Sequence, residues 1–217
     1  MPVTNKIPLF PLGVVLLPDV LLPLHIFEER YKTMIGECLD QDQEFGVIYY
    51  NGTEMESKGC TARVVRVIKQ YPDGRMDILT KGERRFAIED LHKDKPYLEA
   101  SVRFFDDGEE IPTQRTEALA KEGFDLMMQI EGVDGKQFAI EHGDPTGLKE
   151  ASYLIASSDG FTPEEKQEFL EMTSTQDRLE KGVRSLRKIL ERSRLTRQIK
   201  KIVGGNGDAH KLAKRLK

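Results

Sequence analysis

Three short apolar runs open the chain, at 7–10, 14–17 and 20–24, separated by Pro11, Gly13, Pro18 and Pro23. From Phe27 the period changes. Tyr31, Met34, Ile35, Cys38 and Leu39 recur at helical spacing, with Glu29, Lys32, Thr33, Gly36, Glu37 and Asp40 on the opposite face. A broken apolar ribbon feeding a helix with one apolar stripe predicts an inner wall that the rest of the chain closes over. A β-rich run at 45–50 stops at Asn51-Gly52. A strand is expected at 59–70, a turn at Pro72-Asp73-Gly74 and an antiparallel return at 75–80, where Met76, Ile78 and Thr80 alternate with Arg75, Asp77 and Leu79. Lys81-Gly82-Glu83 reads as a further turn, followed by strands at 84–91 and 97–105. Turn signals at this spacing predict a small, curled, mostly antiparallel sheet or barrel of about six or seven strands.

The pattern changes at Asp106-Asp107-Gly108-Glu109-Glu110, which reads as an acidic linker. Beyond it the period is helical. Leu119, Gly123, Leu126, Met127 and Ile130 share a face of a helix at 113–131, and 132–143 is loop-like. Asp144-Pro145 is expected to open the next helix as N-cap and first residue. Thr162-Pro163-Glu164-Glu165 is a capping box with proline at N1. Ser174 to Asp177 caps a last, long helix, in which Leu179, Val183, Leu186 and Leu190 form a seam. Leu195, Ile199 and Ile202 are expected to continue that seam after a stutter. The fold class is α+β. The expected divisions are a β-rich part at 1–107, a helical part at 108–203 and a flexible basic tail at 204–217 released by Gly204-Gly205-Asn206-Gly207.

Composition narrows the function classes. Of 217 residues, 38% are hydrophobic and 32% charged, which suits a globular protein with a busy surface. The longest apolar stretch is too broken by Asp19 and prolines to span a bilayer. No signal peptide is read at the N-terminus, and Cys38 and Cys60 are too few for a disulfide framework, so a cytoplasmic setting is expected. The net charge of −4 hides an asymmetry: from 181 onward there are 13 Lys and Arg against 2 Asp and Glu. An acidic body is not built to track phosphates, but the basic end could contact RNA or an anionic membrane with steep salt dependence.

No catalytic signature emerges. The glycines near 204–207 lack phosphate-loop spacing and follow a helix. His25, His92, His142 and His210 are scattered, so neither a metal site nor a cofactor is expected. His25, between Leu24 and Ile26, reads as a structural histidine, and the pairs Glu28-Glu29 and Glu164-Glu165 sit at helix starts, where the macrodipole favours them. Two steps stay open. In Arg84-Arg85-Phe86 one arginine must face out and one in, either as a sheet rim with a salt-bridged inner arginine or as a guanidinium in a groove. In Tyr49-Tyr50 one ring belongs to the core and the other to a recognition surface.

The ordered set of segments resembles the LON substrate-binding domain family. The matching segments are Leu9-Phe10-Pro11-Leu12, Val15-Leu16-Leu17-Pro18, then Leu22-Pro23-Leu24-His25-Ile26-Phe27-Glu28-Glu29-Arg30-Tyr31. Phe45-Gly46-Val47, Gly59-Cys60-Thr61-Ala62-Arg63-Val64, Pro72-Asp73-Gly74-Arg75 and Lys81-Gly82-Glu83-Arg84-Arg85-Phe86 follow in the family's order. Asp19 departs from it, standing where glycine is common. The resemblance, shared with the N-terminal domain of Lon protease and with cereblon, implies a PUA-like β pseudo-barrel followed by a helical subdomain. It also implies binding of unfolded or exposed polypeptide segments, with a protease or another protein as a further partner. No Lon ATPase phosphate loop or Ser–Lys protease dyad is read here, so the expectation is a stand-alone, non-catalytic protein of quality-control type. Tyr49, Tyr50, Arg84 and Arg85 are the expected surface contributors to substrate binding. RNA binding through the barrel and basic helix is the alternative, and self-association is left open. A hydrolase would need a pocket holding a base and an acid.

Overall fold

The computed structural model describes the backbone of residues 5–137 and 145–213. Among these residues the sheet has six strands: β1 (Asn5–Leu12), β2 (Leu21–Ile26), β3 (Phe45–Tyr49), β4 (Lys58–Gln70), β5 (Met76–His92) and β6 (Leu98–Phe105). Helix α1 (Glu29–Asp40) lies between β2 and β3. After the sheet come α2 (Gln114–Glu131), α3 (Leu148–Ala156), α4 (Pro163–Glu171) and α5 (Thr175–Ala213). The strand order is β2-β5-β4-β3-β1-β6, and β6 returns to pair with β5. The last five therefore close into a barrel, and β2 extends it to one side. Only β1 and β3 run parallel; the other pairings are antiparallel.

Closure explains the opening pattern. Ile7 and Leu9 of β1 pack in one cluster with Ile48, Phe86, Ala100 and Val102, while Phe10 belongs to the larger core. A strand buried on both faces reads as a continuous apolar run instead of an alternating one. The run at 14–17 is not a strand. Leu16 and Leu17 are buried in a loop whose end is tied to β5 by Asp19 N–H to Gly82 O (2.9 Å) and Gly82 N–H to Val20 O (2.9 Å).

Two expected strands prove to be one. Lys81-Gly82-Glu83 is not a turn but the middle of β5, a strand of 17 residues. The glycine is there for clearance: a Cβ on Gly82 would stand 2.1 Å from Leu17 O. The first half of β5 pairs with β2 and the second half with β6, while β4 runs alongside both.

In α1 the predicted stripe buries Tyr31, Met34, Ile35 and Cys38, but Leu39 and Phe27 are exposed, the latter because the helix starts only after Glu28. The predicted α2 face is buried at Gly123, Leu126 and Met127, and a Cβ on Gly123 would meet Ile155 of α3 at 2.3 Å. Helix α3 starts at Leu148, with Gly147 as N-cap and Pro145 before it; the expected cap Asp144 lies outside the described residues, as does His142. Thr162 and Glu165 form the predicted capping box of α4 with proline at its start, and Ser174 Oγ accepts from Asp177 N–H at the start of α5.

Helix α5 departs from expectation twice. Leu179, Val183, Leu186 and Leu190 are buried, but Leu195 and Ile199 are more than half exposed. The five-residue step from Leu190 turns the helix by about 140°, which puts Leu195 on a different face. The backbone also stays helical through 204–207 to Ala213. Each glycine costs about 1 kcal/mol relative to alanine there, but keeps the N–H that the helical ladder needs. Residues 214–217 lie outside the described residues.

Candidate functional site

Two features could meet a partner: a cleft where the barrel joins the helices, and the leaf formed by β2, the first half of β5 and the second half of β4. The cleft has a volume of about 310 Å³ and is lined by Pro18, Asp19, Glu83, Arg84, Arg85, Phe104, Phe105, Asp106 and Lys149. Adjacent positions on β5 send Arg84 outward and Arg85 inward. Arg84 donates to Glu44 at 3.0 and 3.2 Å and lies over the Phe104 ring.

Arg85 is 2% exposed, so it is not a surface contributor. Its guanidinium donates to Leu170 O (2.9 Å), Met172 O and Asp107 Oδ1 (2.5 Å), and stacks on Phe105. Asp107, read as part of an acidic linker, is the buried centre of this junction. It also accepts from Arg178 and from Thr175 Oγ1 (2.7 Å). Arg178 is fully buried, lies over the Tyr153 ring and donates to Ser152 Oγ (2.8 Å). Burial works to raise the Asp107 carboxyl, but the hydrogen bonds of Arg178 and Thr175 and the charges of both arginines outweigh it and hold the group below the usual carboxylate range. Asp107 and Arg178 carried no sequence signal, since one lies in an acidic run and the other at the head of a basic helix.

The tyrosines are elsewhere and do not line the cleft. Tyr49 is buried, and its hydroxyl donates to Glu164 at the start of α4 (2.9 Å); that bond pushes the phenol up. Tyr50 is partly exposed and donates to Gly52 O (2.8 Å), closing its own loop. The four predicted contributors therefore do not form one site. Arg84 and Arg85 share the cleft, Tyr49 clamps the barrel to α4, and Tyr50 stands apart.

In the leaf, Met76, Ile78 and Thr80 of β5 face inward and are buried, while Asp77, Leu79 and Lys81 face outward. Pro23 and Arg66 flank Leu79, and His25 and Lys69 flank Asp77. His25 is a structural histidine as expected: Nδ1 lies 2.6 Å from Asp77 Oδ1, whose other oxygen accepts from Tyr71 (2.8 Å). Those two bonds, His25 first, lower the Asp77 carboxyl.

Of the twelve large apolar residues exposed among the described residues, five lie on the leaf or at its corner: Leu21, Phe27, Val65, Val67 and Ile68. Such a concentration marks an interaction surface more often than isolated residues do. Among the described residues both long edges are unpaired. β2 ends the sheet, and β4 pairs with β3 only at Cys60, Thr61 and Ala62, which leaves 63–70 bonded on one side.

Neither cysteine is poised for chemistry: both are buried, and burial pushes the Cys38 thiol up to about 11 and that of Cys60 higher still. Among the described residues no group of three or more His, Cys, Asp or Glu side chains is placed to hold a metal ion, and no helix is long and apolar enough to cross a membrane.

Comparison with known proteins gives a consistent picture. The family model described as the ATP-dependent protease La (LON) substrate-binding domain matches residues 6–188. Lon protease 2 of Syntrophobacter fumaroxidans is 26% identical over 214 residues, which cover 90% of this chain and 26% of that protein. Lon protease of Parabacteroides distasonis is 31% identical over 140 residues, covering 60% of this chain and 17% of that protein. The chain thus spans about a quarter or less of the length of these relatives. Among solved structures, a Lon N-terminal domain protein from Xanthomonas campestris matches with a TM-score of 0.64 at 21% identity, covering 82% of this chain and 96% of that one. The N-terminal domain of Mycobacterium avium complex Lon protease matches with 0.64 at 16% identity, covering 84% and 98%.

Proposed function

The chain belongs to the LON substrate-binding domain family, and from that premise we propose that it is a recognition module that captures exposed or unfolded polypeptide segments and performs no chemistry of its own. The observation that carries this reading is the leaf, where Leu21 on the outer face and Val67 on the inner one, together with Phe27, Val65 and Ile68, are left to solvent beside strand edges that are unpaired among the described residues. The junction cleft is the weaker docking place. Its cations are already committed, Arg84 to Glu44, Arg85 to Asp107 and Lys149 to Asp106 (2.5 Å), so an incoming charge would have to break an existing pair. A recognition surface needs apolar area and hydrogen-bonding backbone more than free charge, and the leaf supplies both.

The test is equilibrium binding of the full chain to a reduced, carboxymethylated client and to the same client folded. Capture of the unfolded form alone, weakened when Val65 and Ile68 are both replaced by serine, is the expected result. Failure to bind any unfolded client, together with binding of single-stranded RNA that falls steeply with salt, would overturn it.

A further inference from the structure

We propose that the outer edge of β4, along 63–70, accepts an extended client segment of alternating acidic and apolar residues as an added strand; this rests on the polypeptide-recognition reading above. Among the described residues this stretch pairs with β5 on one side and with no strand on the other. Its outward N–H and C=O groups therefore have no strand partner among the described residues. A strand in that state is a template for another chain.

The opposite edge of the leaf is a poorer template, because Pro23 sits within β2 and has no N–H to give. No proline interrupts 63–70. Residues 65–70 are all exposed, while Arg63 and Val64 are half-buried, so an incoming strand has access along 65–70.

Charge selects the occupant. Arg66 is level with Leu79 and Lys69 with Asp77, so both project from the outer face, while Val67, level with Ile78, projects from the inner one. Among the described residues neither Arg66 nor Lys69 forms an ion pair at contact distance; the Lys69 ammonium rests on the Tyr71 ring, 4.4 Å from its centroid, and its charge also helps to lower the Asp77 carboxyl beside it. A strand laid beside β4 would place every second side chain against these cations and the intervening ones against Val67. Carboxylates are favoured at the first set and apolar groups at the second. The same cations disfavour pairing of this edge with a second copy of itself, since like charges would face one another. The register also shifts between Val64 and Arg66 and again between Val67 and Lys69, where Val65 and Ile68 are the extra residues. Bulges of this kind discourage indiscriminate edge pairing. The bulges filter any incoming strand, and the charges of Arg66 and Lys69 favour an acidic one over a second copy of this edge.

The experiment measures fluorescence anisotropy of a tagged octapeptide of alternating Glu and Val with the full chain at low salt. Its Lys-Val counterpart and two N-methylated forms, one methylated at the Glu amides and one at the Val amides, serve as comparisons. Residues of a strand present their amides to alternate edges, so only one methylated form should lose affinity, by about tenfold or more, and the other should bind as the parent does. Exchange of Glu for Lys in the peptide, or Arg66→Glu with Lys69→Glu in the protein, should each cost about tenfold. Equal loss in both methylated forms, or indifference to both charge changes, would overturn strand addition. If the unfolded client still binds in that case, the recognition reading stands without it; if no polypeptide binds, both fall.

Discussion

Asp19 has a φ of 65°, in the left-handed region that costs an ordinary L-residue about 1–2 kcal/mol. Its carboxylate reaches Lys81 (2.7 Å) and its N–H reaches Gly82 O, so the loop over β5 is fixed at this residue. Asp19→Ala is expected to lower stability by about 1 kcal/mol more than Asp19→Gly, measured as the shift in urea midpoint, because glycine adopts the conformation without strain. The departure from the family's glycine was visible in the sequence; the backbone conformation that gives it meaning was not. Gly82 shows the same limit. Its position between two charged residues reads as a turn, whereas its role is to let the backbone of Leu17 approach. Gly82→Ala should cost about 1–3 kcal/mol, since the obstructing atom belongs to backbone and cannot turn aside.

Among elements, a buried electrostatic cluster of Arg85 on β5, Asp107 after β6 and Arg178 on α5 ties sheet to helices. The alternation in Arg84-Arg85-Phe86 made one inward arginine legible. Its partner was not, because nothing along an acidic run distinguishes the carboxylate that will be buried. Removing that carboxylate leaves two buried cations. Asp107→Asn is expected to cost about 3–5 kcal/mol, against about 0–1 kcal/mol for Asp106→Asn, whose side chain is 67% exposed. Because the Asp107 carboxyl is held below its unfolded value of about 3.9, its contribution is complete above roughly pH 5 and declines as acidity carries the group through its folded value. Acid unfolding of the Asp107→Asn variant followed by circular dichroism should therefore be flatter below about pH 5 than that of the parent. Helix α5 was legible as far as Leu190, where periodicity and packing agree. Leu195 was misread because a five-residue step looks like a stutter along the sequence but points elsewhere around the axis.

For the molecule as a whole, the count of strands and the division into a sheet-rich and a helix-rich part could be read from turn spacing and period. The curled, barrel-like sheet was expected as well; the way it closes was not, because that depends on β5 being one strand that changes partners midway. One buried cluster joins Phe10, Phe45 and Ile78 of the sheet with Tyr31 of α1, Tyr153 of α3 and Leu186 of α5. Sheet and helices are therefore expected to unfold in a single transition, with far-ultraviolet dichroism and tyrosine fluorescence giving the same midpoint; two separated midpoints would show independent units. The continuity of β5 has a mechanical side as well. The strand belongs at once to the leaf and to the barrel wall, and its hydrogen bonds to β4 lie across its long axis. Traction along that axis would load these bonds in shear, so that many must yield together, whereas a pull at right angles would part them one after another. The leaf is thus anchored as a lap joint is, firm against lengthwise tugging and easily peeled.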